Sequence, residues 1–176
     1  KKIREWMDEG QKVVPISVNL SRMHFVNSNF IEKFKLIVDK YKIPTRLIEL
    51  ELTETAVLDN IEGLLDTMNN LKEKGFVISM DDFGTGYSSL NLLKELPVDI
   101  LKLDRAFFTE KDESNNEKIV ISNVIKMAKE LKMKVISEGV ETISQVEFLK
   151  QIGCDMVQGY LFSKPMPVKE FEKIAF

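Results

Sequence analysis

The feature that most constrains this chain is a strict alternation. Six short apolar runs, at 13–20, 47–52, 76–81, 99–104, 134–139 and 155–159, each give way to a stretch with helical character. Parallel strands need a crossover between them, so repeated strand–helix units imply a parallel sheet. The expected helices span 28–41, 60–75, 88–96, 116–132 and 142–153, with a short last one in "PMPVKEFEKI". Their punctuation is explicit: Gly75 and Gly153 follow two of them, Pro97 stops a third, and Thr142 with Gln145 forms a capping box. The first ten residues read as the end of a helix, closed by Gly10. Strands this rich in Ile, Leu and Val are expected to be buried on both faces. A closed (β/α)8 barrel takes about 250 residues and eight units. Six units in 176 residues read as a TIM-like (β/α)8 barrel with its first two strands missing.

The strand ends carry the chemistry. In order they present Asn19; Glu51, with Glu54 beyond it; Asp81 and Asp82; Lys102, with Asp104; Glu138, with Glu141; and Gln158. A barrel gathers all of these into one bowl, whereas an open doubly wound sheet strings them along a line. Each has a bland reading alone. Glu51 could face solvent, an aspartate could cap a helix, Lys102 could snorkel, and Glu138 or Gln158 could serve a turn. The set resists those readings. A doubly buried strand leaves Glu51 no solvent side, and the helix near Ser88 starts too far on for both aspartates to cap it. A lysine between two leucines must be paired, because burying a lone ammonium is costly. Together these residues form a metal and acid–base site. His24 and Cys154 are each the only residue of their kind, so a His-rich zinc site is excluded and any metal must be held mainly by oxygen. Oxygen ligands suit Mg²⁺, Mn²⁺ or Ca²⁺.

The aspartates open "DDFGTGYSSL", in which Gly84 and Gly86 are permissive hinge positions. Neither a kinase metal loop nor a Walker loop fits, because their companion motifs are absent. The net charge of −3 offers no footprint for a nucleic-acid polymer or a membrane surface. No apolar stretch approaches the roughly 20 residues of a membrane span, and no signal peptide is visible. One cysteine permits no internal disulfide and fits a reducing, cytoplasmic setting.

Six segments resemble one known family. They are "SVNLS" (17–21), "ELTE" (51–54), "DDFGTGYSSL" (81–90), "LKLD" (101–104), "SEGVE" (137–141) and "QGY" (158–160), followed by "KPMP" (164–167). In this order they are similar to the EAL domain, a bacterial cyclic di-GMP phosphodiesterase. The resemblance implies one such domain over 1–176 and hydrolysis of cyclic di-GMP to linear pGpG at a two-metal site of Mg²⁺ or Mn²⁺. It implies Asn19, Glu51 and Asp81 as first-metal ligands, with Asp81, Asp82 and Glu138 around the second metal. Lys102 matches the lysine that polarises the water or phosphate. Glu138, Lys102 and Asp82 are thus the catalytic set, with Gln158 near the same centre, Glu54 anchoring the loop and Glu141 at the edge.

The family's Glu-Ala-Leu strand, with a first-metal glutamate, is not in the sequence. The stretch alone is therefore expected to self-associate, as a homodimer, and to hydrolyse little. An upstream sensor or cyclase domain is the expected companion in the parent. The alternatives are a catalytically inactive cyclic di-GMP receptor or interaction module, and a phosphodiesterase acting on another dinucleotide.

Overall fold

A computed structural model describes residues 1–21, 24, 29–53, 61–84, 90–108 and 115–176. Glu54 and Gly86 lie outside the described residues. Helix α1 (Lys2–Asp8) precedes strand β1 (Ile16–Leu20). There follow α2 (Phe30–Lys40), β2 (Ile48–Thr53), α3 (Ile61–Glu73), β3 (Val77–Phe83), α4 (Leu90–Glu95) and β4 (Ile100–Leu103). The chain continues through α5 (Asn115–Glu130), β5 (Lys134–Ser137), α6 (Ile143–Gln151), β6 (Met156–Val157) and α7 (Val168–Ala175). Every neighbouring strand pair is parallel and the sheet order is β1-β2-β3-β4-β5-β6. The expected alternation therefore holds, and so does the capping box of α6, where Thr142 accepts from the Gln145 backbone.

Register assigns each side chain to a face. Asn19 lies opposite Glu51, Glu51 opposite Ser79, Ser79 opposite Ile100, and Lys102 opposite Ile136. By the two-residue period of a strand, one face carries Ser17, Asn19, Glu49, Glu51, Ser79, Asp81 and Lys102. The other carries Leu50, Leu52, Ile78, Met80, Leu101, Leu103 and Val135, each no more than 1% exposed. Burying side chains of this size stabilises the fold by roughly 1.5–3 kcal/mol each.

The sheet is not closed, since β1 and β6 are its edges. The two chain ends nevertheless meet. Trp6 Nε1 donates to Glu172 Oε1 at 2.7 Å, and its ring packs 5.8 Å from Phe171 and 5.3 Å from Phe176. Contact between the first and last helices means that the sheet curls round towards a barrel.

Two expectations need correction. Burial on both faces holds for β2 and β4 but not for the edges: Ser17, Val18 and Asn19 are exposed on β1, and Met156 is exposed on β6. An edge strand lacks a neighbour on one side, so several of its side chains keep solvent, although Leu20 at the end of β1 is still buried. The last strand is also shorter than the expected 155–159.

The strand beginnings, opposite the acidic ends, are tied by a device that recurs. Asp99 accepts from the Ile78 backbone N–H at 3.0 Å and from Lys72 Nζ at 2.7 Å. Two units later Asp155 accepts from the Val135 N–H at 2.7 Å and from Lys129 Nζ at 2.5 Å. Each aspartate thus links the start of the neighbouring strand to the helix that leads into that strand, α3 for Asp99 and α5 for Asp155. Partial burial works against the charge on Asp155, but Lys129 and the Val135 N–H outweigh it and hold the carboxyl below its ordinary range. A depressed folded-state pKa adds stability above the unfolded value that is lost as pH falls through the folded one. Asp155→Asn is expected to cost about 1 kcal/mol at neutral pH. In urea unfolding the gap from wild type should close on acidification through the carboxylate range; a gap independent of pH would contradict this assignment.

Candidate active site

Lys102 organises the polar face. Its side chain is 7% exposed, and its Nζ lies 2.5 Å from Glu51 Oε1, 2.7 Å from Glu138 Oε1 and 3.0 Å from Asp81 Oδ1. The three acids come from β2, the end of β5 and β3, so one ammonium ties together three separate βα units. Removing a lysine from water costs several kcal/mol, which close carboxylates can offset. Burial alone would lower the Lys102 pKa, but the ion pairs with Glu138 and Glu51 prevail and hold it well above the ordinary lysine range. Lys102 therefore carries a positive charge across the physiological range.

A bulge interrupts β3 where Asp81 meets this ammonium. Met80 pairs with Leu101, and the next pair is Phe83 with Leu103. Two residues, Asp81 and Asp82, thus oppose the single Lys102. Asp82 takes a left-handed backbone at φ 54°, a conformation that aspartate enters more readily than most residues. The kink breaks the strict alternation that would otherwise send Asp82 to the opposite face from Asp81. Burial raises the Asp82 pKa, and the charges of Asp81 and Asp104 add to the rise. Burial likewise raises Glu138 despite the nearby Lys102.

Three carboxylates, Glu51, Asp81 and Glu138, thus share one ammonium, with Asp82 next to Asp81 in the bulge. Lys102 donates a well-formed hydrogen bond to Glu51. Asp81 Oδ1 and Glu138 Oε1 are close to the same nitrogen but outside hydrogen-bond geometry, and both oxygens are buried without another partner. Excess negative charge and hard oxygens without a hydrogen bond fit a divalent cation. The carboxylates converge on the lysine, however, and no group of three His, Cys, Asp or Glu among the described residues already surrounds a vacant point.

The remaining expected residues divide. Asn19 sits beside Glu51 in register, exposed on the edge strand. Gln158 is fixed through its backbone, its N–H donating to Ser137 at 2.8 Å and its carbonyl accepting from Val140 at 3.0 Å. Gln158, Glu141 and Glu138 line a cavity of about 500 Å³. Two residues escaped the sequence reading. Glu49 is 6% exposed on the same face as Glu51, and its Oε1 lacks a partner. Burial raises its pKa, and nearby Ser79 only softens the rise, without a hydrogen bond. The two-residue strand period was the available signal. Arg105 lines the same cavity as Glu138, and nothing local in the sequence marks it.

Oxygen donors and a buried ammonium, gathered at the strand ends of a curled parallel sheet, define the acidic-site class of barrel-like βα proteins. The EAL domain model matches residues 1–165, and the chain belongs to the EAL domain family. It is 37% identical over 164 residues to the cyclic di-GMP phosphodiesterase NbdA of Pseudomonas aeruginosa, covering 93% of this chain and 21% of that protein. It is 35% identical over 170 residues to the bifunctional diguanylate cyclase/cyclic di-GMP phosphodiesterase MucR of the same organism, covering 97% and 25%. The chain thus spans about a fifth to a quarter of the length of these curated relatives. The solved MucR phosphodiesterase in complex with c-di-GMP superposes with a TM-score of 0.88 at 35% identity, over 97% of this chain and 69% of that one. The calcium/c-di-GMP complex of Klebsiella pneumoniae BlrP1 superposes at 0.80 with 26% identity, over 86% and 39%.

Replacing Lys102 with Met keeps the volume but leaves the acids facing one another. Lys102→Met is expected to destabilise the metal-free protein by about 3–5 kcal/mol, and added Mg²⁺ should restore part of the loss. Thermal unfolding with and without Mg²⁺ tests this; a melting temperature equal to wild type in chelator would contradict the buried pairing.

Proposed function

We propose that residues 1–176 form the phosphodiesterase domain of an enzyme that hydrolyses cyclic di-GMP to linear pGpG, using Mg²⁺ or Mn²⁺. The observation that carries this reading is the cluster of Glu51, Asp81 and Glu138 around Lys102, in a chain whose relatives include cyclic di-GMP phosphodiesterases. Asn19, Glu51, Asp81, Asp82 and Glu138 are the residues that would hold two divalent ions. Such ions lower the pKa of water and neutralise a phosphodiester.

The chain's own groups do the rest. Lys102 supplies a permanent positive charge where the phosphoryl oxygens become most negative. Glu138, with its pKa raised by burial, is suited to take the proton of the attacking water. The water oxygen bonds to phosphorus as one phosphate–sugar ester bond breaks, and a proton goes to the departing sugar oxygen. Gln158 and Glu141 hold the nucleotide against the centre, with Glu54 steadying the adjoining loop.

No helix among the described residues is long and apolar enough to cross a membrane, and the domain works in the cytoplasm on this reading. An upstream sensor or cyclase domain supplies its input. Val14 and Val18, exposed beside the β1 edge, support pairing with a second copy. The convergence of the acids on Lys102, with no group of three His, Cys, Asp or Glu placed to hold a metal ion among the described residues, favours one second reading, a receptor that binds the dinucleotide without cleaving it.

The deciding experiment follows cyclic di-GMP conversion by the full-length protein. Linear pGpG should form with Mg²⁺ or Mn²⁺ and cease in chelator. Lys102→Met should lower kcat about 10²–10³-fold while leaving nucleotide binding largely intact. Binding without turnover in either metal would replace the enzyme reading with the receptor.

A further inference from the structure

The cavity that begins at Glu138 is amphipathic. Glu138 and Gln158 line it with polar groups, and Tyr160, Pro165 and Met166 line it with carbon and an aromatic ring. Its volume of about 500 Å³ lies within the range of small-molecule sites. A nucleobase has that same division, with apolar faces and a polar edge. Arg105 also lines this cavity. Its side chain has no hydrogen bond or ion pair among the described residues, although acids surround it.

The placement of Arg105 is built into the fold. It opens a tight turn directly after β4, and Asp104 Oδ1 caps that turn by accepting from the Ala106 N–H at 2.7 Å. Gly139, one residue after Glu138, has φ 65°, and a Cβ there would stand 2.3 Å from Arg105 Cβ. Only glycine lets the two turns approach so closely. The close approach fixes the root of Arg105 beside Glu138. Arg105 also borders a second groove, of about 940 Å³, but that one includes none of the acids paired with Lys102. The cavity containing Glu138 is the one of the two that adjoins the Lys102 centre.

We propose that Arg105 is a specificity-determining residue that reads the O6/N7 edge of a guanine base seated in this cavity. The inference rests on the cyclic di-GMP reading above and adds the means of choosing the base. A guanidinium fork donates two parallel hydrogen bonds, and guanine offers two acceptors on that edge. Adenine presents an amino donor in place of O6, so the same fork meets one acceptor and one donor. A lysine donates from a single nitrogen and does not reproduce the fork.

Calorimetry on the full-length protein in Ca²⁺, with cyclic di-GMP and cyclic di-AMP as probes, tests this. Wild type should prefer cyclic di-GMP. Arg105→Ala should weaken cyclic di-GMP about ten- to a hundredfold and leave cyclic di-AMP unchanged, and Arg105→Lys should not restore the preference. Arg105→Gln should narrow the ratio further, because an amide pairs with the adenine edge. Unfolding curves of the three variants should match wild type, since the side chain is exposed and unpaired. Equal weakening of both ligands would overturn the proposal in favour of a phosphate contact, and undiminished discrimination would overturn it outright. If wild type bound neither dinucleotide, the cyclic di-GMP reading itself would fail, and the base assignment with it.

Discussion

A lysine buried between leucines is the constraint on which the rest of this structure depends. Lys102 sits on a strand whose neighbours in sequence, Leu101 and Leu103, are fully buried. Its ammonium cannot reach water, so the fold must bring anions to it. Three strands supply them, and the registers of β2, β3, β4 and β5 are thereby tied to one point. The same arrangement fixes the chemistry. A cation held by three acids stays charged, and acids held near one cation retain an excess of negative charge for further cations or for protons.

The two ends of the sheet divide the labour. At the strand beginnings, Asp99 and Asp155 each join a helix lysine to a strand N–H, contacts that tie helices to the sheet. At the strand ends, the irregularities gather: the bulge at Asp81 and Asp82, the left-handed Asp82, and the close approach of Gly139 to Arg105. Each departs from regular geometry where a side chain must be aimed. Barrel-like βα proteins show this general asymmetry, with function at the C-terminal rim and stability at the other.

The architecture was legible because its signals are local. Apolar runs, helical stripes, the Thr142–Gln145 box and the glycines after helices each act within a few residues. The acids at strand ends were legible too, because β-structure allows only two directions and Glu51 had no solvent side. What escaped depends on pairing between distant strands. The bulge exists only relative to β4, and no property of "MDDF" alone requires it. Exposure of β1 and β6 follows from their place at the sheet edges rather than from their composition. Arg105 gains its role from Gly139, which lies far along the chain. Glu49 was the avoidable omission, since it stands two residues before Glu51 and shares its face by strand period.

The central claim is that the Lys102 ammonium is buried, charged and shared among Glu51, Asp81 and Glu138. Nitrogen-15 NMR of lysine side chains in the metal-free protein observes that group directly, and a Lys102→Met sample assigns its signal. The account predicts one ammonium signal protected from solvent exchange, still protonated where the exposed lysines titrate, and perturbed by Asp81→Asn. A Lys102 ammonium that exchanges as fast as surface lysines, or titrates with them, would contradict it.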